Sequence, residues 1–402
     1  MMGSYGGSAF LIVYIAFTIL FAFPALMAEM TLGRMSRKGT LHALRLSFGN
    51  FFGGALGYLL LLVVTVAGSY YAVVVGNVVY TTFFSLFVGF SDDTIPAFKT
   101  GLSNGWLQYL ITLITIAVSL SIIYKGLTRG IERISNVIMP LFFLSLIYMI
   151  VHALSLPGAI DKCLEFLKPD LTALKSSEVF AALGQAFFSV GLGGTFVVVY
   201  AGFFRSNESI PKMALFTGLG DMSASLLISL FLVPSVLVFG MEMTSGPTLI
   251  FNTFPYLFST MPGGRFVGSL FLVSIFLVAF LSLVAAYQVP FTSIQSERPA
   301  MNTKKILLAV GLLQASLALP SSLFPSVIGT LDLVFGSGMQ VLGSVMCILG
   351  LTWGLKQSNV LSQMFNTHEP SPVSRTAYFW IKWVIPLALL AVLIRYIYDV
   401  AL

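Results

Sequence analysis

Long apolar runs alternate with short charged loops along this chain. Stretches with few or no charges, each near the roughly 20 residues that a helix needs to cross a bilayer, occur at about 8–30, 55–87, 105–124, 134–154, 179–204, 213–240, 266–291, 306–323, 327–355 and 377–398. They predict ten membrane-spanning helices. Because these runs are apolar on every side, helical periodicity does not say which face of each turns inward. The two longest connections, about 155–178 and 241–265, contain Pro157, Pro169, Pro247, Pro255 and Pro262 and predict short helices lying over one face of the bundle. No repeat of 20 to 50 residues and no low-complexity tract breaks the pattern, so residues 1–402 read as one transmembrane domain.

Composition agrees with this reading. Hydrophobic residues make up 57% of the chain and charged ones 9%, against roughly 25% charged in a soluble domain, too little polar surface to cover a water-soluble globule. Soluble enzymes, disulfide scaffolds and nucleic-acid binders are excluded. The net charge of +6 follows sidedness rather than forming a patch: 15 of the 21 Lys and Arg residues fall in alternate loops, beginning with Arg34, Arg37, Lys38 and Arg45. Those loops are expected to face the cytoplasm. The C-terminus is then outside, and so is Met1, although nothing before Arg34 is charged and no cleavable signal is present. A further helix preceding residue 1 in the complete protein would remove this anomaly, and that is the expectation; unaided translocation of a short N-terminus is the other reading.

Ionisable groups within apolar spans are expensive and ask for a partner or a role. Glu29 opens Glu29-Met30-Thr31-Leu32-Gly33-Arg34 near one end of the first span, Asp332 lies near an end of the ninth, and Asp221 sits about a third of the way into the sixth. For Glu29 and Asp332, snorkelling or ion pairing at a helix end competes with a functional reading; Asp221 is too deep for that. The fifth span carries Gly191, Gly193 and Gly194 at mid-membrane. Either they allow close helix packing, or they loosen the helix, and unwound backbone at that depth is tolerated only when buried in protein or lining a cavity. Gln185 and Ser189, on one face just before the glycines, point to a site. Tyr70 and Tyr71 lie mid-span, where a hydroxyl needs a neighbouring helix or a bound carboxylate. For Ser282 the simpler expectation is a hydroxyl bonded back to its own helix.

Together these residues resemble the neurotransmitter:sodium symporter family, the LeuT-type inverted-repeat transporters. Gly6-Gly7-Ser8-Ala9-Phe10-Leu11 and Glu29 through Arg34 are similar to the opening and close of that family's helix 2. Ser69 through Val74 resembles its helix 3 signature, Gly184 through Tyr200 its broken helix 6, and Pro290 to Glu297 the inner end of helix 8. The resemblance implies an all-α polytopic fold in which the ten spans are family helices 2 to 11 and helix 1 is missing.

It also implies roles. Tyr71 is expected to meet a substrate carboxylate, with Ala67, Phe188, Ser189, Gly191, Gly194 and Tyr287 around the pocket. A first sodium falls to Ser189 and Asp221, a second to Ala279 and Ser282, with Leu283 standing where a second hydroxyl is expected and weakening that site. Tyr14, Gln185, Ser189, Asp221 and Ser225 match the family's chloride site, and the Asp221 carboxylate there implies that chloride is not required. Asp332 resembles the outer gate acid and Glu297 the inner one. The function implied is sodium-coupled uptake of a small neutral amino acid or related amine across the plasma (inner) membrane by alternating access, with no enzymatic activity. A truncated or vestigial binding protein of the same fold is the alternative.

Overall fold

The computed structural model describes residues 7–168, 174–241, 246–367 and 371–401; Met1, Gly6 and Pro169 lie outside the described residues. Each long apolar run forms a helix because at bilayer depth only a helix satisfies every backbone N–H and C=O within its own segment. Nine helices among the described residues are long and apolar enough to cross a membrane. In chain order the spans are α1 (Ser8–Ser36), α3 (Asn50–Phe87), α4 (Gly105–Tyr124), α5 (Gly130–Leu154), α8 (Ile210–Val238), α10 (Gly264–Glu297), α11 (Thr303–Leu323), α12 (Ser326–Gly354) and α14 (Pro372–Tyr398). The expected fifth span is present in two pieces, α6 (Ser176–Ser189) and α7 (Phe196–Ala201). Three shorter helices complete the set used below: α2 (Thr40–Phe48), α9 (Phe254–Thr260) and α13 (Gln357–Phe365).

The expected short helices over the long connections are α9 and Ala159–Phe166. Helix starts follow from side chains that accept the first free N–H groups. Asn104 accepts from Leu107 at 3.1 Å before α4, and Asn302 from Lys304 at 2.8 Å before α11. Pro24 cannot donate to the Leu20 carbonyl, and the chain widens there into a π-helical turn, Thr18–Ala22. Trp380 Nε1 takes up that carbonyl at 2.7 Å, tying α14 to α1. A similar π-helical turn, Leu249–Thr253, precedes Pro255.

Two groups of helices emerge. In one, α3 packs against α2, α4, α10 and α11. In the other, α1 packs against α6, α7, α8 and α12, with α14 behind α12. The helix ends carrying Arg34, Glu297 and Lys304, together with α2 and its Arg45, share one end of the bundle, the basic face. Between the two groups, at mid-span, α6 stops and α7 starts.

Candidate functional site

The break is shaped by glycine. Gly191 and Gly194 adopt φ of +71° and +70°, conformations that an L side chain rarely takes, so the helix cannot run through residues 190–195. The N–H groups freed by a break need acceptors in a medium without water. Glu29 supplies one: its Oε1 accepts from Gly193 N at 3.1 Å and Gly194 N at 3.0 Å, and the side chain is 0% exposed. The carboxyl group that reads from sequence as a helix-end acid is therefore a buried bracket for unwound backbone. Its neighbours in the motif finish the clamp. A methyl group at Gly33 would overlap the Val198 carbonyl and reach within 2.9 Å of the Ala201 methyl, so only glycine lets α1 lie so close to α7. Arg34 is buried and donates to the Glu208 carbonyl at 2.6 Å, to Asn366 Oδ1 at 3.0 Å and to the Gln363 carbonyl, joining α1 to the loop after α7 and to the end of α13.

From the other side, α12 presses on the same segment. A methyl group at Gly343 would overlap the Gly193 carbonyl, and one at Gly194 would stand 2.7 Å from both Cys347 Sγ and the Gly343 carbonyl. Close packing and helix breaking, alternatives on the sequence, are both true of Gly194, whereas Gly191 serves the break alone, with nothing within 4 Å of a methyl placed there.

At the last turn of α6, Tyr14 Oη and Ser189 Oγ lie 3.1 Å apart. The Asp221 carboxylate of α8 faces both hydroxyls, and Ser225, one turn further along α8, adjoins Tyr14. Among the described residues Asp221 Oδ2 is buried without a hydrogen-bond partner. Tyr14, Ser189, Asp221 and Ser225 thus converge on one spot, and Gln185 sits one turn earlier on α6. Oxygen atoms on three helices with a spare carboxylate acceptor are the ligand chemistry that a hard cation takes.

Across the break, Tyr71 of α3 stands beside Ser282 of α10. Ser282 Oγ donates to the Val278 carbonyl of its own helix at 3.2 Å, the simpler of its expected states. Ala67 lies one turn before Tyr71, and Phe188 is 54% exposed at the end of α6. Tyr287 is placed differently from these. Its ring packs against Gly68 near Gln314 of α11, at the joint of α3, α10 and α11, and it is 0% exposed. Toward the end of the bundle away from the basic face, Tyr70 donates to Asp332 Oδ1 at 3.0 Å. Asp332 opens the π-helical stretch Asp332–Gly338. At the basic face Arg45 Nη1 donates to both Glu297 oxygens, at 2.8 and 2.7 Å, while its guanidinium lies 5.8 Å from the centre of the Tyr58 ring.

The sequence profile of the Sodium:neurotransmitter symporter family matches residues 1–96 and 89–401. The chain belongs to this family. It is similar to the sodium-dependent transporter YhdH of Bacillus subtilis (27% identical, covering 98% of this chain and 91% of the relative). It is also similar to the sodium-dependent serotonin transporter of Drosophila melanogaster (26% identical over 84% of this chain and 62% of that one). Among solved structures, MhsT in complex with L-phenylalanine superimposes with a TM-score of 0.86 at 25% identity, over 98% of this chain and 92% of that one. The protein is accordingly a multi-pass membrane transporter with the LeuT-type fold.

Within the symporter family frame, sequence reasoning located the break and the Asp221 cluster but missed three contributors: Arg34, Cys347 and Arg45. The Glu-x-x-x-Gly-Arg string carried a signal for the first, since a charged group at the end of an apolar span asks for a partner. Cys347 lies in an apolar run that marks nothing about it, and Arg45 counted only as one of several loop cations.

Proposed function

We propose that the protein is a sodium-coupled symporter that takes up a small neutral amino acid or related amine across the plasma membrane by alternating access, with its C-terminus outside. The observation that carries this reading is the mid-span break between α6 and α7, bordered by Ser189, Tyr14 and Asp221. Unwound backbone there offers carbonyls to a cation or an amine, and Asp221 supplies a permanent negative charge beside the sodium. A buried cation without a counter-charge is costly, so this carboxylate makes chloride unnecessary. Ala279 and Ser282 are the candidates for a second sodium, with aliphatic Leu283 weakening it. Tyr71 would meet the substrate carboxylate, with Ala67, Phe188, Gly191 and Gly194 around the substrate. Asp332, held by Tyr70, and Glu297, held by Arg45, would gate the two ends. The phenylalanine bound by MhsT and the serotonin named for the fly relative support an amino acid or amine as the substrate class.

One sodium moving down 100 mV supplies about 2.3 kcal/mol and a tenfold gradient about 1.4, enough for roughly 500-fold accumulation per ion. The deciding experiment is uptake of neutral amino acids into proteoliposomes under a sodium gradient. The expected results are a Hill coefficient for sodium near one and full activity with gluconate in place of chloride. Tyr71→Phe should abolish binding although it costs folding only about 1 kcal/mol. Asp221→Asn should lose uptake in gluconate and recover part of it in chloride. Uptake without sodium would refute the coupling, and a chloride requirement in the wild type would refute the role of Asp221.

A further inference from the structure

A cavity of about 200 Å³ lies between α5, α8, α10 and the π-helical turn that leads into α9. Its walls include Leu146, Ile228, Leu232, Leu249, Phe254 and Ile275. The Ser274 hydroxyl, which also lines it, is already engaged, 2.6 Å from Ser145 Oγ and donating to the Leu270 carbonyl at 2.7 Å. Water in a protein interior needs two to four polar partners, whereas an apolar cavity of ~150 Å³ stays dry and admits a molecule such as benzene. This cavity, open on one side, is larger and has little to offer water. Its back wall is stiff: the Phe254 and Phe271 rings meet edge to face at 4.7 Å, and Phe231 stands 5.1 Å from Phe271. Closure of the cavity is therefore obstructed.

Position says what fills it. The cavity is at bilayer depth in the half away from the basic face, and α5 shows exposed Leu144 and Ile147 nearby, a hydrocarbon-facing surface. Past Leu232, at the end of α8, the Lys162 ammonium reaches the Leu237 carbonyl at 2.9 Å and places a cation where the apolar span ends. We propose that the cavity is a binding site for a hydrocarbon chain of a membrane amphiphile with an anionic head, its tail among α5, α8 and α10 and its head toward Lys162. The site has a route to transport. On α8, Asp221, Ser225, Ile228 and Leu232 follow the i, i+4, i+7, i+11 spacing of one helix face, and on α10 Ile275, Ala279 and Ser282 do the same. Ile228 is about 10 Å along the axis from Asp221. A chain in the cavity thus bears on the two helix faces that carry the candidate sodium ligands. This last step alone rests on the proposed symport.

The test uses the full chain in nanodiscs containing phosphatidylglycerol, with a photoactivatable diazirine at the acyl terminus of the phospholipid in one arm and of a free fatty acid in the other. Peptide mapping should find label at 246–254 or at Ile228 and Leu232, and the arm that labels identifies the source. Leu146→Phe and Ile275→Phe fill the space, and each should cut that labelling at least about fivefold while leaving label at Leu144 and Ile147. Absence of cavity label in both arms, or labelling unchanged in the filled variants, overturns the assignment. If one variant does not fold, the other and the wild-type map decide. Mapping needs no transport, so a protein that fails to bind sodium leaves the cavity assignment standing, and an unlabelled cavity leaves the symporter assignment standing. For the coupling, the filled variants should shift the half-saturating sodium concentration of uptake by at least about threefold; identical values in filled and wild-type protein refute it.

Discussion

Replacing Glu29 by leucine asks whether the broken segment is held by its backbone. The side chain stays large and apolar but loses its acceptor, so Gly193 N and Gly194 N, now 3.1 and 3.0 Å from Oε1, become buried and unpaired. Each orphaned donor costs about 1–3 kcal/mol, hence about 2–6 kcal/mol for the pair. That cost falls on residues 190–195, where the backbone has no helical partners of its own. At about 1.4 kcal/mol per factor of ten, binding that requires the segment in order should weaken at least ~30-fold. Glu29→Gln keeps a carbonyl oxygen for both donors, and its amide can donate to the Ser344 hydroxyl beside position 29. It should stay within about tenfold of wild type, one hydrogen bond's worth. Sodium-dependent binding of a radiolabelled neutral amino acid to the purified protein gives the affinity. Hydrogen exchange at 193 and 194 reports the segment directly, whatever the substrate proves to be. If Glu29→Leu leaves both amides protected and binding intact, the bracket is not what holds the break. If glutamine is as damaging as leucine, charge rather than acceptor geometry is the reason.

Gly194→Ala should prevent the native break from forming, since φ is +70° and the new methyl would stand 2.7 Å from two atoms of α12, whereas Gly220→Ala on α8, with nothing within 4 Å, should stabilise by about 0.5–1 kcal/mol; thermal unfolding distinguishes the two. Arg45→Gln should cost only about 0–1 kcal/mol, because its bridge to Glu297 is between side chains 24% and 32% exposed. That difference should fade in concentrated salt, and a larger loss that persists in salt would mean the pair is a structural clamp. His42, on α2 outside the spans, has its pKa lowered by burial and then by Lys38, against the pull of Glu297. The unfolded chain then holds the proton more readily, so stability contributed by neutral His42 is present above about pH 6.5 and is lost as pH falls below it. His42→Gln should flatten the change in melting temperature between neutral and mildly acidic pH, and an unchanged slope would assign the effect elsewhere.

What the sequence determined by itself is whatever local chemistry dictates. Runs apolar on all sides could only be spans, and their observed ends depart from the apolar limits mainly where helices continue into polar sequence, as α10 does to Glu297. The glycines at 191, 193 and 194 marked a place for either close packing or a break, and only the positive φ at 191 and 194 decided for the break. Asp221 announced a site because a carboxylate that deep has no route to water. Tertiary structure decided the partners. Glu29 and Gly193 are 164 residues apart, Tyr70 and Asp332 262, and Arg45 and Glu297 252; nothing in the residues between them encodes the approach. Helices apolar on every side have no side that the sequence marks as inward, so only packing reveals that Glu29 turns into the protein rather than out along its helix end. Packing likewise joined Tyr14 to Ser189, sent the Tyr287 ring against Gly68, and left an apolar-lined cavity between α5, α8 and α10 backed by packed aromatic rings.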